Sequence, residues 1–358
     1  MGTLTQHPYT SLPAYCFWRK AVAGLPPFQL DPLTESPFRI SATDKVATAG
    51  SCFAQHIARK LKDARFNYYV TERAPQSLSS RVTAHRNYEV FSARYGNIYT
   101  SGQLLQLFDR AYGTFIPSLH HWTRGDGRYV DPFRPQIEAD GFDSAEAVEA
   151  DRATHLSHVR DLLETLDVFV FTLGLTEGWR HSKDGAALPI APGVAGGEWD
   201  SSQYKFVNET VIDVIRDMTS FIDRMRNVNP SARVILTVSP VPLIATYENR
   251  HILVSTTYSK SVLRVAAEEI SKARSNVVYF PSYEIVISNA HRYFEDDLRS
   301  VNDLGVEHVM RTFFRDFVDG GSPVSLLTNE IEIRNEIRAI AKVICDEESI
   351  DAATYAPA

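Results

Sequence analysis

Lys45-Val46-Ala47-Thr48-Ala49-Gly50-Ser51-Cys52-Phe53-Ala54 is the stretch that sets the fold class. Its first five residues read as a short buried strand. Ala54, Ile57, Ala58 and Leu61 then follow the i, i+3, i+4, i+7 spacing of an amphipathic helix. Gly50-Ser51-Cys52-Phe53 is therefore a tight strand-to-helix turn. The alternation recurs further along. Leu166–Leu173 and Arg233–Val238 are strong apolar strands, ended by Gly174 and by Ser239-Pro240. Asn276–Phe280 is another, ended by Pro281. Between them, Val211, Val214, Ile215, Met218, Ile222 and Met225 mark one helix, and Leu263, Ala266 and Ile270 mark a second. Two final helices follow, over Gly305–Phe317 and through Ile333, Ile337, Ile340 and Ile344. Apolar strands alternating with amphipathic helices predict a parallel sheet covered on both faces.

Composition narrows the class further. The chain has 358 residues, 44% hydrophobic and 23% charged, enough to bury a sizeable core. The net charge of −7 gives no general attraction to phosphate backbones and argues against a nucleic-acid partner. Cys16, Cys52 and Cys345 are far apart and show no metal-ligand spacing, as expected of reduced thiols in a cytoplasmic protein. Met1–Lys20 lacks the apolar run of a signal peptide, and no stretch approaches a membrane span. We expect one domain over 1–358. In it, 1–43 wraps the outside, 44–320 is a core with insertions at 114–165 and 181–207, and 321–358 carries a C-terminal helix.

Ligands of open parallel sheets bind beyond the carboxyl ends of the strands. That places Ser51, then Gly174-Leu175-Thr176-Glu177, then Ser239-Pro240-Val241, then Pro281-Ser282-Tyr283-Glu284 at the working edge. No Gly-rich phosphate loop is present, so a dinucleotide or P-loop enzyme is not expected. Ser51 has two readings: a helix N-cap, or a nucleophile whose oxyanion faces the N–H groups of the first helical turn. Cys52 reads as buried packing. His120-His121 has no third ligand at helpful spacing, so no metal is expected.

Ala49-Gly50-Ser51-Cys52-Phe53-Ala54 resembles the motif that names the GSCFA family, a group similar to the SGNH/GDSL hydrolases. Five further stretches resemble the same family: Phe91–Thr100, Leu173–Glu177, Val238–Val241, Tyr258–Ser261 and Phe280–Glu284. The resemblance implies a three-layer α/β/α sandwich with a parallel, flavodoxin-like (SGNH-type) sheet and helical insertions. It also implies ester chemistry with Ser51 as nucleophile. Gly96 or Asn97 matches the block whose N–H holds the oxyanion. Gly174 with Thr176 matches the third block, where a hydroxyl replaces the usual amide and Glu177 is an unfavourable neighbour. The D-x-x-H block reads Asp297-Leu298-Arg299-Ser300, so its histidine is missing. His308 reads as a partly buried helix residue. His251, on a loop off the active edge, is the replacement base, with Asp297 or Glu284 orienting it; an exposed loop histidine is the other reading. Arg94, Arg250 and Arg299 are either anion-holding groups or members of surface ion pairs, and Trp179 and Tyr283 are either sugar-stacking or packing aromatics.

Two functions follow. One is a serine esterase or O-acyltransferase acting on a carbohydrate or glycan, drawing on acetyl-CoA if it transfers, and associating with glycan-assembly enzymes. The alternative keeps the fold without hydrolase chemistry. It is a glycan-binding component, or a glycan-modifying transferase using Glu177, Glu284, Asp296 and Asp297 as acid and base.

Overall fold

In chain order the strands are β1 (Val46–Gly50), β2 (Trp122–Thr123), β3 (Tyr129–Val130), β4 (Val168–Leu173), β5 (Glu177–His181), β6 (Ala187–Leu188), β7 (Tyr204–Asn208), β8 (Arg233–Val238) and β9 (Val277–Tyr279). The computed structural model describes residues 7–36, 38–319 and 345–355. The helix expected through Ile333–Ile344 lies outside them. The chain forms two compact units, 40–280 with 341–358, and 1–39 with 281–340.

The first unit is built on the parallel sheet β1-β4-β8-β9. Val46 pairs with Val168 on one side and makes a single parallel bridge to Tyr68 on the other. With Tyr68 counted as second position, the order is the 2-1-3-4-5 of flavodoxin-like sheets. All six residues of β4 are buried, as a strand covered on both faces must be. Helix Ala54–Asp63 returns the chain from β1 to Tyr68 and buries Ile57, Ala58 and Leu61. Helices Val211–Val228 and Ile252–Ala273 connect β4 to β8 and β8 to β9, and pack against each other. The connections run in opposite directions from β1 and from β4. Right-handed crossovers therefore put their helices on opposite faces, the three-layer arrangement expected from the alternation.

The first insertion holds the β2–β3 hairpin and helix Ala145–Thr165, capped by Ser144. The second is stranded, contributing to the antiparallel sheet β6-β5-β7. Leu188, Ile190 and Tyr204 join Trp122, Val130 and Phe133 in one buried cluster, so the two insertions share a core.

The second unit centres on helix Asp303–Phe317, which buries Val309, Met310, Phe313, Phe314 and Phe317. His308 is a core residue here. Its Nε2 donates to the Leu30 carbonyl (2.8 Å), so its Nδ1 accepts the Tyr293 hydroxyl (2.8 Å). Burial lowers its pKa to about 4.

Arg94 is not an anion-holding group at the active edge. Its side chain is fully buried and saturated by Glu138 (2.5 Å), Asp151 (3.1 Å) and Glu72 (3.6 Å). Arg134 binds Asp131 (2.9 Å) and Asp151 (2.7 Å), while Arg152 also binds Asp131 (2.8 Å). His155 reaches Glu72 (2.7 Å). This network ties helix Ala145–Thr165 to the segment that precedes Gly96. Burial, with Arg134 nearby, lowers the His155 pKa to about 4. Burial alone would raise Glu72, but His155 and Arg134 hold it down at about 2. Both groups bind protons more readily in the unfolded chain, so stability must fall with acid. His155 costs stability as pH falls from about 6.5 to about 4, on the order of 3 kcal/mol, and Glu72 adds to the loss below about 4.5. Urea unfolding between pH 7 and pH 4 should show this slope, and His155→Gln should flatten its upper part.

Candidate active site

Ser51 stands one residue beyond β1, at the point where the sheet order reverses. Gly50 makes that turn possible: its φ is +134°, and a Cβ there would lie 2.3 Å from the Thr172 carbonyl oxygen. Ser51 N–H donates to the same carbonyl (3.2 Å), and the Ser51 carbonyl accepts from Ala54 N–H (2.9 Å). Ser51 is not the cap of the helix that follows. That position belongs to Phe53, with no side-chain cap bond. The Ser51 Oγ is buried and has no hydrogen-bond partner. A buried hydroxyl left unpaired is costly in a purely structural role.

Two segments adjoin this turn, and a third contacts the second of them. Gly174, after β4, approaches so closely that a Cβ would lie 2.9 Å from the Ser51 Cβ and 3.1 Å from the Tyr99 carbonyl oxygen. Gly174 and Leu175 both donate their N–H to that carbonyl (3.2 and 2.9 Å), and buried Lys260 donates to the Gly174 carbonyl (2.7 Å). The second segment is Gly96–Tyr99, held by Ile98 N–H on the Gly50 carbonyl (2.8 Å). Among the described residues the Gly96 N–H has no acceptor, as an oxyanion donor requires. Asn97 Oδ1 accepts from Gln55 Nε2 (3.1 Å), one turn beyond Ser51. That orients the Asn97 amide so that Nδ2 donates to Asp346 Oδ2 (2.9 Å).

Asp346 belongs to the third segment, the C-terminal stretch that leads into helix Glu348–Tyr355. The Tyr99 hydroxyl also donates to Asp346 Oδ2 (3.2 Å) and accepts the Asp346 N–H (3.1 Å). Burial pushes the Asp346 carboxyl up to about 6, against the lowering effect of Asn97 and Tyr99. Nothing in the local sequence marks Asp346, and nothing in the block that holds Tyr99 points to the contact, because it joins positions 247 residues apart.

Other expected site residues are engaged elsewhere. His251 is exposed and caps helix Ile252–Ala273, its Nδ1 accepting from Leu253 N–H (3.2 Å). The expected Ser51–His251 hydrogen bond is absent, because the helix start holds the ring. The Thr176 hydroxyl is spent on Asn208 Oδ1 (2.7 Å) and does not complete an oxyanion hole. Glu177 accepts from the Thr246 hydroxyl (2.7 Å) and Tyr247 N–H (3.1 Å), which fixes the loop after β8. Glu284, Asp297 and Arg299 belong to the other unit. There the Asp297 carboxylate accepts from Arg299 N–H (2.8 Å), Ser300 N–H (2.8 Å) and the Ser300 hydroxyl (2.6 Å), so the altered D-x-x-H block closes a turn. Glu284 lies in the first turn of helix Ser282–Ile287.

Past Leu175, the residue after Gly174, opens a cavity of about 320 Å³. Trp179, Trp199, Phe206 and Tyr247 form its aromatic wall, with Trp179 rings 5.0 Å from Trp199 and 4.8 Å from Tyr247. Glu347 and Ile350 of the C-terminal stretch line it too.

The sheet order and the serine at its reversal point define a doubly wound α/β protein with a working edge between β1 and β4. The chain belongs to the GSCFA family, whose model matches residues 45–313. The C-terminal stretch with Asp346 lies outside that match. No curated protein matches the chain. Among solved structures, a carbohydrate esterase family 3 protein from Talaromyces cellulolyticus is similar at 11% identity and a TM-score of 0.33, covering 76% of this chain and 94% of that one.

Gly174→Ala should force Ser51 and Tyr99 apart. We expect a loss of about 1–3 kcal/mol in urea unfolding, the usual cost of overpacking.

Proposed function

We propose that this protein is a serine-dependent esterase or O-acyltransferase acting on an acylated carbohydrate. The observation that carries the reading is the buried, unpartnered Ser51 hydroxyl at the sheet's reversal point; the Gly96 N–H, on the segment that Ile98 ties to the Gly50 carbonyl, is also unspent among the described residues. In this reading Ser51 Oγ attacks the acyl carbonyl, and the oxyanion that forms is held by Gly96 N–H and Asn97 Nδ2. The ester C–O bond then breaks, the sugar hydroxyl leaves with a proton, and the acyl group stays on Ser51. Water regenerates the serine in an esterase. In a transferase the expected donor is acetyl-CoA: Ser51 attacks its thioester, the C–S bond breaks, the thiol leaves with a proton, and a sugar hydroxyl then takes the acyl group from Ser51 while its proton returns to the serine; a glycan-assembly enzyme is the expected associate.

Deprotonating Ser51 requires a base to approach it. His251, at the end of the loop after β8, takes that role once the loop closes. The exposed rings of Trp199 (47%) and Tyr247 (62%) at the cavity rim suit stacking on a sugar face. The absence of a ring nitrogen on Ser51 favours one second reading, glycan binding without turnover. A transferase built on carboxylates has less support, since both Glu177 oxygens already hold the loop.

The test is labelling by a fluorophosphonate with turnover of a small aryl acetate. Ser51→Ala should abolish both. His251→Ala should lower turnover by about 100-fold or more, the usual contribution of a general base. Glycan binding with an inert Ser51 would establish the second reading instead.

A further inference from the structure

The C-terminal stretch places a carboxyl group on the donors beside Ser51. Cys345, Asp346 and Glu347 are buried, although they follow the family-matched region. Asp346 Oδ2 receives two hydrogen bonds, from Asn97 Nδ2 (2.9 Å) and the Tyr99 hydroxyl (3.2 Å). It shares a small void with Gly96 and Asn97. Glu347 and Ile350, just beyond, lie along the aromatic cavity. One short segment therefore covers both the polar pocket and the cavity that continues from it.

A purely structural buried carboxyl would be expected to meet a cation or several backbone N–H groups. Here the two donors to its oxygen are neutral side chains, both from the family-matched block 91–100. Neutral donors of this kind suit an oxygen whose charge is transient or shared with a proton. The Asp346 side chain, a methylene bearing a carboxyl, has the shape of acetic acid, the product of hydrolysing an acetyl ester.

We infer that Asn97 Nδ2 and the Tyr99 hydroxyl form the binding site for the carboxyl group of the acyl product, and that Asp346 fills it as an internal ligand. The inference rests on the serine reading above and adds what it lacks, the site of the acyl oxygen. A site filled by its own chain binds external ligand only through the fraction of molecules in which the segment has lifted. The raised pKa of Asp346 accords with a carboxyl held among neutral donors.

The experiment uses the full chain with Asp346→Ala, and Asp346→Asn as the variant that preserves size and folding. Two probes are read: fluorophosphonate labelling of Ser51, and binding of sodium acetate by saturation-transfer NMR. Asp346→Ala should label at least about tenfold faster than the unmodified chain, because the blocked fraction is removed. It should bind acetate where the unmodified chain does not, and adding Asn97→Ala should abolish that binding. Acetate should also slow labelling of Asp346→Ala. A folded Asp346→Ala that binds no acetate overturns the proposal, as does one that labels more slowly than the unmodified chain. If Ser51 labels in no variant while Asn97-dependent acetate binding appears, the carboxyl site stands and the serine reading fails.

Discussion

The close approach of Gly174 to Ser51 is the contact on which the rest of the site depends. β1 and β4 are hydrogen-bonded along their full shared length, with Gly50 opposite Thr172. That pairing brings the two strand exits side by side. Neither exit tolerates a side chain at its glycine: Gly50 would meet the Thr172 backbone, and Gly174 would meet Ser51 itself. The freed space lets the Tyr99 carbonyl take both the Gly174 and Leu175 N–H groups, which draws the 96–99 segment across the top of the sheet. Three chain segments far apart in sequence thus converge on one hydroxyl through backbone contacts.

The same economy explains the division between charged groups that hold the fold and those that face the site. The strong ion pairs around Arg94, Arg134 and Arg152 lie behind the 91–100 block, where their charges are mutually satisfied. Such networks are costly to break and fix register more than they add stability. Their role here is to seat the segment that ends in Gly96 and Asn97. Arg134 also lines the void shared by Gly96, Asn97 and Asp346, but its guanidinium is held by Asp131 and Asp151, so the hydrogen bonds received by the Asp346 carboxyl come from the neutral Asn97 and Tyr99 side chains.

Much of the sheet was legible in the sequence because its period is local. The buried strands and the helices of their crossovers follow from apolar spacing alone, and the Gly50–Phe53 turn from its place between two such runs. The second sheet position was not legible, since Tyr68 makes only one bridge. The strands of the second insertion were not legible either: β5, β6 and β7 are short, and their apolar residues find partners across the other insertion rather than along their own strands. At the site, Ser51 and Gly174 were readable as strand-exit residues, and Gly96 through the block it shares with the family. Arg94 was readable as an anion-holding group or a surface ion pair, but not as a buried one, because the block that carries the Gly96 turn also carries whatever anchors it. His251 was placed by distance along a loop, and the sequence does not reveal that the ring would instead cap the next helix.

Asp346 belongs to a different category. Its partners are nearly 250 residues away in sequence, and nothing in Cys345-Asp346-Glu347 distinguishes it from an exposed acidic tail. Only the tertiary structure shows a carboxyl oxygen seated on an amide that Gln55 has already turned toward it. That orientation argues against a chance contact. Gln55 lies on the helix that begins just after Ser51, so the residue that aims the Asn97 amide is fixed by the same turn that presents the nucleophile. An amide aimed from the serine's own helix is positioned with reference to the serine. Whatever oxygen it binds is therefore held in register with Ser51, and the C-terminal carboxyl has taken that place.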